Sequence, residues 1–130
     1  MLYVTDKFSI NMLPQTPFCV INFHQITIQR ARELLSSRPF RSYIEHSEIA
    51  NIASQILEVQ LEVNREPLTL QEDDFVIVVQ YRGTRLPEGS TQLPEEAQIG
   101  LWLLDVFYVE KSEEAADKWI STIHLKGRMM

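Results

Sequence analysis

One histidine, one arginine and one glutamate carry the side chains of this sequence that are best suited to handle a phosphate. His46 stands at the start of a segment with helical periodicity, and Arg85 and Glu88 lie close together in the loop segment RLPEG. Histidine exchanges a proton near neutral pH, arginine presents a fixed fork of donors to phosphate oxygens, and a carboxylate accepts protons or orients its neighbours. Together the three residues predict a site that binds an anion.

Further polar residues stand where predicted strands end. Ser9 and Asn11 follow the first strand, and counting by two from Val76 along a buried strand leads to Gln80 and Arg82. In open sheets, ligands tend to bind outside the strand ends, and a helix N-terminus adds N–H donors suited to phosphate. We therefore expect these residues to join the same anion site.

Each of these residues also has an ordinary structural explanation. Asn11 is a common turn former, a histidine at a helix start is usually a solvated surface residue, and Arg85 with Glu88 would form an exposed ion pair. The glycines of the same loop would merely permit turns. Only convergence in space distinguishes a site from a set of unrelated surface residues.

Other kinds of catalytic centre lack support in the sequence. His24, His46 and His124 are far apart, and no pair of histidines or cysteines has the spacing of metal ligands. Cys19 lies in an apolar run, which favours a small core thiol over a nucleophile. No serine sits in an elbow motif, and no glycine-rich phosphate loop is present. The sequence predicts no metal and no cofactor.

Size and charge limit the classes of partner. A chain of 130 residues fits one domain, and its net charge of -6 argues against coating duplex nucleic acid, which draws affinity from clustered Lys and Arg. No apolar run of 18 residues exists, so we expect no membrane segment. One cysteine allows no disulfide within the chain and favours a reducing compartment. The predicted location is the cytoplasm.

Periodicity predicts the elements that must position these side chains. The strand patterns cover residues 1–5, 17–24, 75–82 and about 101–109. The helical patterns cover ITIQRARELLSS, SEIANIASQILE and a segment that begins after Ser112. Pro94 followed by two glutamates predicts a further short helix. The fold class is α/β or α+β, with a mixed sheet of about five strands and about three helices.

Capping residues indicate where the helices begin. Thr27 suits the first helix and Ser112 the last. The second helix has two candidate starts, because Ser42 with Glu45 forms a capping-box pattern while Ser47 would cap a later start. With either start, His46 lies at or within the first turn.

Three segments of the chain carry a family resemblance. FSINMLP, IEHSEIANIASQIL and VQYRGTRLPEGS, in this order and spacing, resemble the type III anti-CRISPR ring-nuclease family over about residues 1–110. The resemblance implies a compact homodimer that binds cyclic tetra-adenylate in a cleft across the dimer. It further implies metal-free cleavage to linear di-adenylates ending in cyclic phosphate, which switches off type III CRISPR signalling.

The resemblance also implies roles for particular residues. The family's essential histidine matches His46, and its loop arginine and glutamate match Arg85 and Glu88. The ligand contacts that it implies are Ser9, Asn11, Arg65 and Gln80, and the strand-end Arg82 joins them from its position. Glu45 departs from the family, which often has a small residue there. Residues 111–130 have no counterpart in it, so we take residues 1–110 as the ring-nuclease-like domain and 111–130 as its C-terminal helical extension.

A mechanism follows as a hypothesis from these side chains. The ribose 2′-hydroxyl attacks its own phosphate, His46 protonates the departing 5′-oxygen, and Arg85 braces the phosphate. Glu88 orients Arg85 or the ribose, or accepts the 2′ proton, and the sequence leaves these roles open. One competing hypothesis is a module that binds the cyclic nucleotide or a host protein without hydrolysis. A small transcriptional regulator is disfavoured by the acidic balance and the lack of a basic recognition helix.

Overall fold

The fold is a mixed five-stranded sheet with three helices. The computed structural model describes residues 1–129, and side chains as far as residue 123. Within that range the elements are β1 Leu2–Thr5, β2 Phe18–Gln25, α1 Ile28–Ser37, β3 Phe40–Tyr43, α2 Ser47–Leu57, β4 Phe75–Arg82, β5 Gln98–Glu110 and α3 Glu113–Met129. The strand order is β2-β5-β4-β1-β3. The predicted α+β class is confirmed.

Strand direction divides the sheet into two halves. β1 pairs in parallel with both β3 and β4, whereas β5 runs antiparallel to β4 and β2. Parallel neighbours need a crossover between them, and here α1 lies on the route from β2 to β3 and α2 on the route from β3 to β4. The chain segments that follow β1, β3 and β4 consequently emerge at one edge of the sheet.

β4 is apolar on both faces, as its sequence predicts, because both faces are covered. Ile77 and Val79 pack with α1 and α2 in one core cluster. Val76 packs on the opposite face with Met12, from a short 3-10 turn at Ile10–Met12, and with Leu70, from an irregular segment. Among the described residues none of the three α-helices contributes to this second cluster, so the connecting segments complete it.

Helix starts agree with the sequence for α1 and α3 and differ for α2. The hydroxyl of Thr27 accepts the N–H of Arg30 at 3.1 Å, and that of Ser112 accepts the N–H of Ala115 at 3.3 Å. For α2 the N-cap position is His46, so neither predicted serine cap is correct. A carboxylate distant in the sequence satisfies the N–H groups at this helix start, as described below.

Two local predictions were wrong because tertiary pairing overrides them. Ser42, one of the two predicted caps, lies in β3, a strand that periodicity does not predict and that pairs with β1. Residues Pro94 to Ala97 form a single turn, with the N–H of Ala97 donating to the carbonyl of Pro94 at 3.0 Å, and no helix. β5 then begins at Gln98 because its first residues pair with the end of β4.

α3 packs against β2 and β5. Ala116 is buried, and the Trp119 ring stacks on Phe18 of β2 with centroids 5.6 Å apart. Trp119 also lies 6.1 Å from the ring of Tyr108 on β5. β5 ends at Glu110, and the helix predicted to begin after Ser112 follows as α3. In the described residues, no helix is long and apolar enough to cross a membrane.

The loop between β4 and β5, residues 83–97, is held against α2. The backbone N–H of Gly89 donates to Glu48 Oε1 at 3.2 Å, and the Asn51 amide donates to the carbonyl of Ser90 at 3.3 Å. Gly89 has φ of +78, a left-handed conformation that favours glycine, in a turn closed by the N–H of Ser90 donating to the carbonyl of Pro87 at 3.1 Å. The loop segment that begins with RLPEG is thereby fixed near the start of α2.

The buried position of Ile77 gives a first prediction. Ile77→Ala removes a fully buried side chain from β4 and should lower the free energy of unfolding by about 2–5 kcal/mol. Ile10→Ala is the matched control, because Ile10 is 80% exposed and its loss should change stability by no more than about 0.5 kcal/mol. Urea denaturation at one fixed protein concentration measures both. Equal midpoint shifts for the two variants would contradict the packing of β4 described above.

The contact between Glu48 and the loop predicts a dependence of stability on pH. Hydrogen bonds from its own backbone N–H and from that of Gly89 hold the pKa of Glu48 below its ordinary value. A depressed folded-state pKa contributes stability above the unfolded-state pKa, and that contribution disappears as the pH falls through the folded-state pKa. Glu48→Gln keeps an acceptor oxygen but loses the charge, so its unfolding midpoint should lie below wild type near neutral pH and approach wild type in acid. Thermal unfolding at both pH values measures this difference, with the exposed Glu66→Gln as control. A difference between the two unfolding midpoints that grows as the pH falls would contradict this prediction.

Candidate functional site

A cleft of about 1200 Å³ opens at the edge of the sheet where β1, β3 and β4 end. Asp6 enters it from the end of β1, the first turn of α2 forms one wall, and the loop after β4 forms the opposite wall. The sequence-predicted residues that line it are His46, Arg65, Arg85 and Glu88. His46, Arg85 and Glu88 therefore lie at one cleft, which their spacing in the sequence could not establish.

The imidazole ring of His46 is held in place through one of its two nitrogens. The ring stands at the N-cap of α2 with 66% of the side chain exposed, and Nδ1 lies 2.8 Å from Asp6 Oδ2. This contact occupies Nδ1, so Nε2 is the ring nitrogen left for a ligand. A histidine held in this way is able to donate or accept a proton at one defined atom.

Asp6 is a site residue that sequence reasoning missed. Its side chain is only 3% exposed, and besides the His46 ring it accepts the backbone N–H of Glu45 at 3.0 Å and that of His46 at 3.1 Å. Its carboxylate takes the place of the missing side-chain cap of α2. The only signal in the sequence was an aspartate directly after a predicted strand, ahead of Ser9 and Asn11, which were considered.

The cations of the cleft are available to an anion. Arg85 is exposed, and within the described part of the chain its guanidinium forms no ion pair, so the expected surface pair with Glu88 does not exist. Arg65 donates from Nε to the carbonyl of Glu45 at 3.1 Å, which leaves its terminal nitrogens without a hydrogen bond to any described residue. Two permanent positive charges thus border the cleft.

Glu45 does not place its charge in this cleft. Its carboxylate pairs with Lys7, Nζ to Oε2 at 2.9 Å, and it lines a smaller neighbouring hollow. The negative charge of Glu45, the residue at which the chain departs from the resembled family, is therefore paired with Lys7. Among the acidic groups near the helix start, Glu48 is likewise occupied by the N–H of Gly89.

Four predicted ligand contacts lie outside the cleft within one chain. Ser9 and Asn11 line a hollow of about 240 Å³ that shares Arg65 with the cleft. Gln80 lies on the opposite face of β4, where its Oε1 accepts the indole N–H of Trp102 at 3.2 Å. Arg82 is exposed and lines none of these hollows.

Strand alternation explains why Gln80 and Arg82 are separated from the cleft. Successive side chains of a strand point to opposite faces. Val79 and Tyr81 of β4 line the cleft, so Gln80 and Arg82 must face the other way. Gln80 and Arg82 share a face, as their spacing predicts, but the cleft lies on the other face of β4.

The histidines and the cysteine do not form a metal or thiol centre among the described side chains. Among the described side chains, no three His, Cys, Asp or Glu residues are grouped so that they could hold a metal ion. The side chain of His124 lies outside the described residues. Cys19 is half-buried on β2 and not fully enclosed, which corrects the expectation of a core thiol.

Comparison with known proteins yields viral relatives. The chain is 31% identical over 114 residues to "Uncharacterized protein 26" of Sulfolobus islandicus filamentous virus (isolate Iceland/Hveragerdi), which covers 85% of this chain and 95% of that protein. B116 of Sulfolobus turreted icosahedral virus has a similar structure, with a TM-score of 0.67 and 22% identity over 80% of this chain and 97% of B116. At that identity the likeness concerns the fold.

A family model accounts for most of the chain. The model described as STIV B116-like matches residues 2–103, which run from β1 into β5 and contain every residue of the cleft. α3 lies beyond the matched residues. On this match and on the viral relative, the chain belongs to the STIV B116-like family, a protein family with members in archaeal viruses.

Proposed function

We propose that this protein is a metal-independent ring nuclease that binds cyclic tetra-adenylate and cleaves it to linear di-adenylates ending in 2′,3′-cyclic phosphate. The observation that carries the proposal is the convergence of His46, Arg85 and Glu88 on one cleft, although they come from two separate segments of the chain. These are the residues that the resemblance to the ring-nuclease family implies for catalysis. Their grouping supplies a proton donor, a cation and a carboxylate around one cleft.

The reaction needs no group beyond the substrate and these side chains. The ribose 2′-oxygen attacks the neighbouring phosphorus, and the bond from phosphorus to the 5′-oxygen breaks. His46 as the imidazolium donates its Nε2 proton to the departing 5′-oxygen, while the proton of the 2′-hydroxyl passes to Glu88 or to water. Each cleavage leaves a cyclic phosphate on one product end and a 5′-hydroxyl on the other.

Positive charge at the cleft would stabilise the phosphate as it becomes more negative. Arg85 has no competing carboxylate partner among the described residues, so its fork is free to bind two phosphate oxygens. Arg65 adds a second cation at the other side of the opening. Because both charges are in place before the ligand arrives, little reorganisation is needed during the reaction.

A homodimer is part of the proposal. A two-fold axis would present two copies of the cleft to a cyclic ligand, and two opposite cleavages would yield two dinucleotides. Such a dimer would also give Ser9, Asn11 and Gln80, which lie outside the cleft of their own chain, a route to a ligand bound across the axis. The setting that fits best is the cytoplasm of an infected host, where destroying the messenger would silence type III CRISPR signalling.

Product analysis with a chelator tests the activity directly. Purified protein at stoichiometric amounts should convert cyclic tetra-adenylate to di-adenylates with cyclic phosphate ends, and excess chelator should not slow the conversion, since the side chains supply the acid and the cations. Chromatography with mass detection identifies the products. Intact ring held in a stable complex would overturn the enzyme proposal and favour a binding module instead.

Replacement of His46 separates binding from chemistry. His46→Ala should lower the single-turnover rate by about 10²–10⁴-fold, the usual contribution of a general acid, while the ligand still binds to the arginines. His24→Ala is the matched control, because His24 is an exposed histidine on β2 away from the cleft. An unchanged rate for His46→Ala would remove its role as the proton donor.

A further inference from the structure

We infer that Asp6 is the positioning residue of the site: it fixes His46 as the Nδ1–H tautomer, so that Nε2 is the nitrogen that faces the ligand. The contact itself is a property of the folded chain. Its meaning for catalysis rests on the function proposed above. Asp6 touches no reacting atom in this scheme and acts only through the imidazole ring.

The hydrogen bonds of Asp6 define which nitrogen carries the proton. An ionised carboxylate only accepts hydrogen bonds, so a ring nitrogen 2.8 Å from Asp6 Oδ2 has to bring the proton. In the neutral ring this places the hydrogen on Nδ1 and the lone pair on Nε2. When the ring is doubly protonated, Nε2 carries the transferable proton and Nδ1 stays bound to Asp6.

Burial makes this arrangement rigid. The Asp6 side chain is 3% exposed, whereas the His46 side chain is 66% exposed, so the fixed partner is the carboxylate. Two backbone N–H groups, those of Glu45 and His46, hold the carboxylate oxygens at 3.0 and 3.1 Å. The ring therefore docks onto an acceptor whose position is set by the end of β1 and the start of α2.

No other described side chain competes for Asp6. Lys7, the next residue, pairs with the carboxylate of Glu45, and Arg65 donates to the carbonyl of Glu45. Among the described side chains, the imidazole of His46 is the only one that hydrogen bonds to Asp6. The carboxylate of Asp6 is thus directed to the ring, where it fixes the orientation of the imidazole and the nitrogen that carries the hydrogen.

The tautomer of His46 in the free protein decides the inference without any ligand. Long-range ¹H–¹⁵N spectra of protein labelled in its histidine rings distinguish Nδ1–H from Nε2–H, and His46→Gln identifies the resonances of His46. The neutral ring should be the Nδ1–H tautomer, in contrast to free histidine, which favours Nε2–H. An Nε2–H tautomer in the wild-type protein would overturn the inference.

Asp6→Asn tests whether the carboxylate of Asp6 sets the tautomer of His46. Asparagine has nearly the same shape, but its NH₂ group must replace one carboxylate oxygen, so the ring meets a donor or the helix start loses an acceptor. We expect the population of His46 to move to the Nε2–H tautomer. Asp74→Asn is the matched control, since Asp74 is another buried aspartate that accepts a backbone N–H, that of Gln71, away from the cleft. It should lower stability and leave the His46 tautomer unchanged.

Kinetics then measure the effect on the proposed reaction. With cyclic tetra-adenylate, Asp6→Asn should lower kcat by about 10²–10⁴-fold, as expected when a general acid is lost, with KM changed far less. A loss of kcat that Asp74→Asn reproduces to the same extent would mean a purely structural role and would overturn the inference. If wild-type protein shows the Nδ1–H tautomer but does not cleave cyclic tetra-adenylate, the proposed function is wrong, while the contact of Asp6 with His46 still holds. If Asp6→Asn fails to fold, the wild-type tautomer still decides.

Discussion

The parallel pairing of β1 with β3 and β4 is the constraint on which the site depends. Parallel neighbours point the same way, so the segments that follow them emerge at one edge of the sheet. Asp6 follows β1, His46 follows β3 and the loop of Arg85 follows β4. Residues separated by about forty positions in the sequence therefore share one cleft. An antiparallel arrangement of the same strands would have sent one of these three segments to the opposite edge.

Charge is distributed so that an acidic chain still presents a cleft bordered by arginines. The net charge is -6, but the carboxylates nearest the start of α2 are each occupied. Asp6 accepts the N–H groups of the helix start and the His46 ring, Glu45 pairs with Lys7, and Glu48 accepts the N–H of Gly89. The arginines of the cleft have no such partners among the described residues. The overall charge therefore does not describe the cleft, where Glu45 is turned to Lys7 and the guanidiniums of Arg65 and Arg85 remain exposed.

The loop after β4 links stability to the site. Leu86 packs against the core, and Gly89 adopts a left-handed conformation next to Glu48. Contacts with α2 at both Gly89 and Ser90 hold the segment that carries Arg85 and Glu88 in a narrow range of positions. The interactions that stabilise this loop are therefore the same ones that keep two site residues close to His46. A site on a loop gains precision when the loop is anchored to a helix in this way.

What the sequence alone determined was local. The apolar stripe of α2, the doubly apolar β4, the caps Thr27 and Ser112 and the position of His46 at a helix start depend on residues within one or two turns or on the alternation of one strand. Tertiary structure decided the rest. The four residues of β3 form a strand because β1 lies beside them, and the pairing of β4 with β5 decided which face of β4 borders the cleft. The cap of α2 comes from Asp6, 40 positions away. Periodicity reports the nearest neighbours along the chain, whereas strand pairing, strand facing and a carboxylate that reaches a distant helix depend on which segments meet in space.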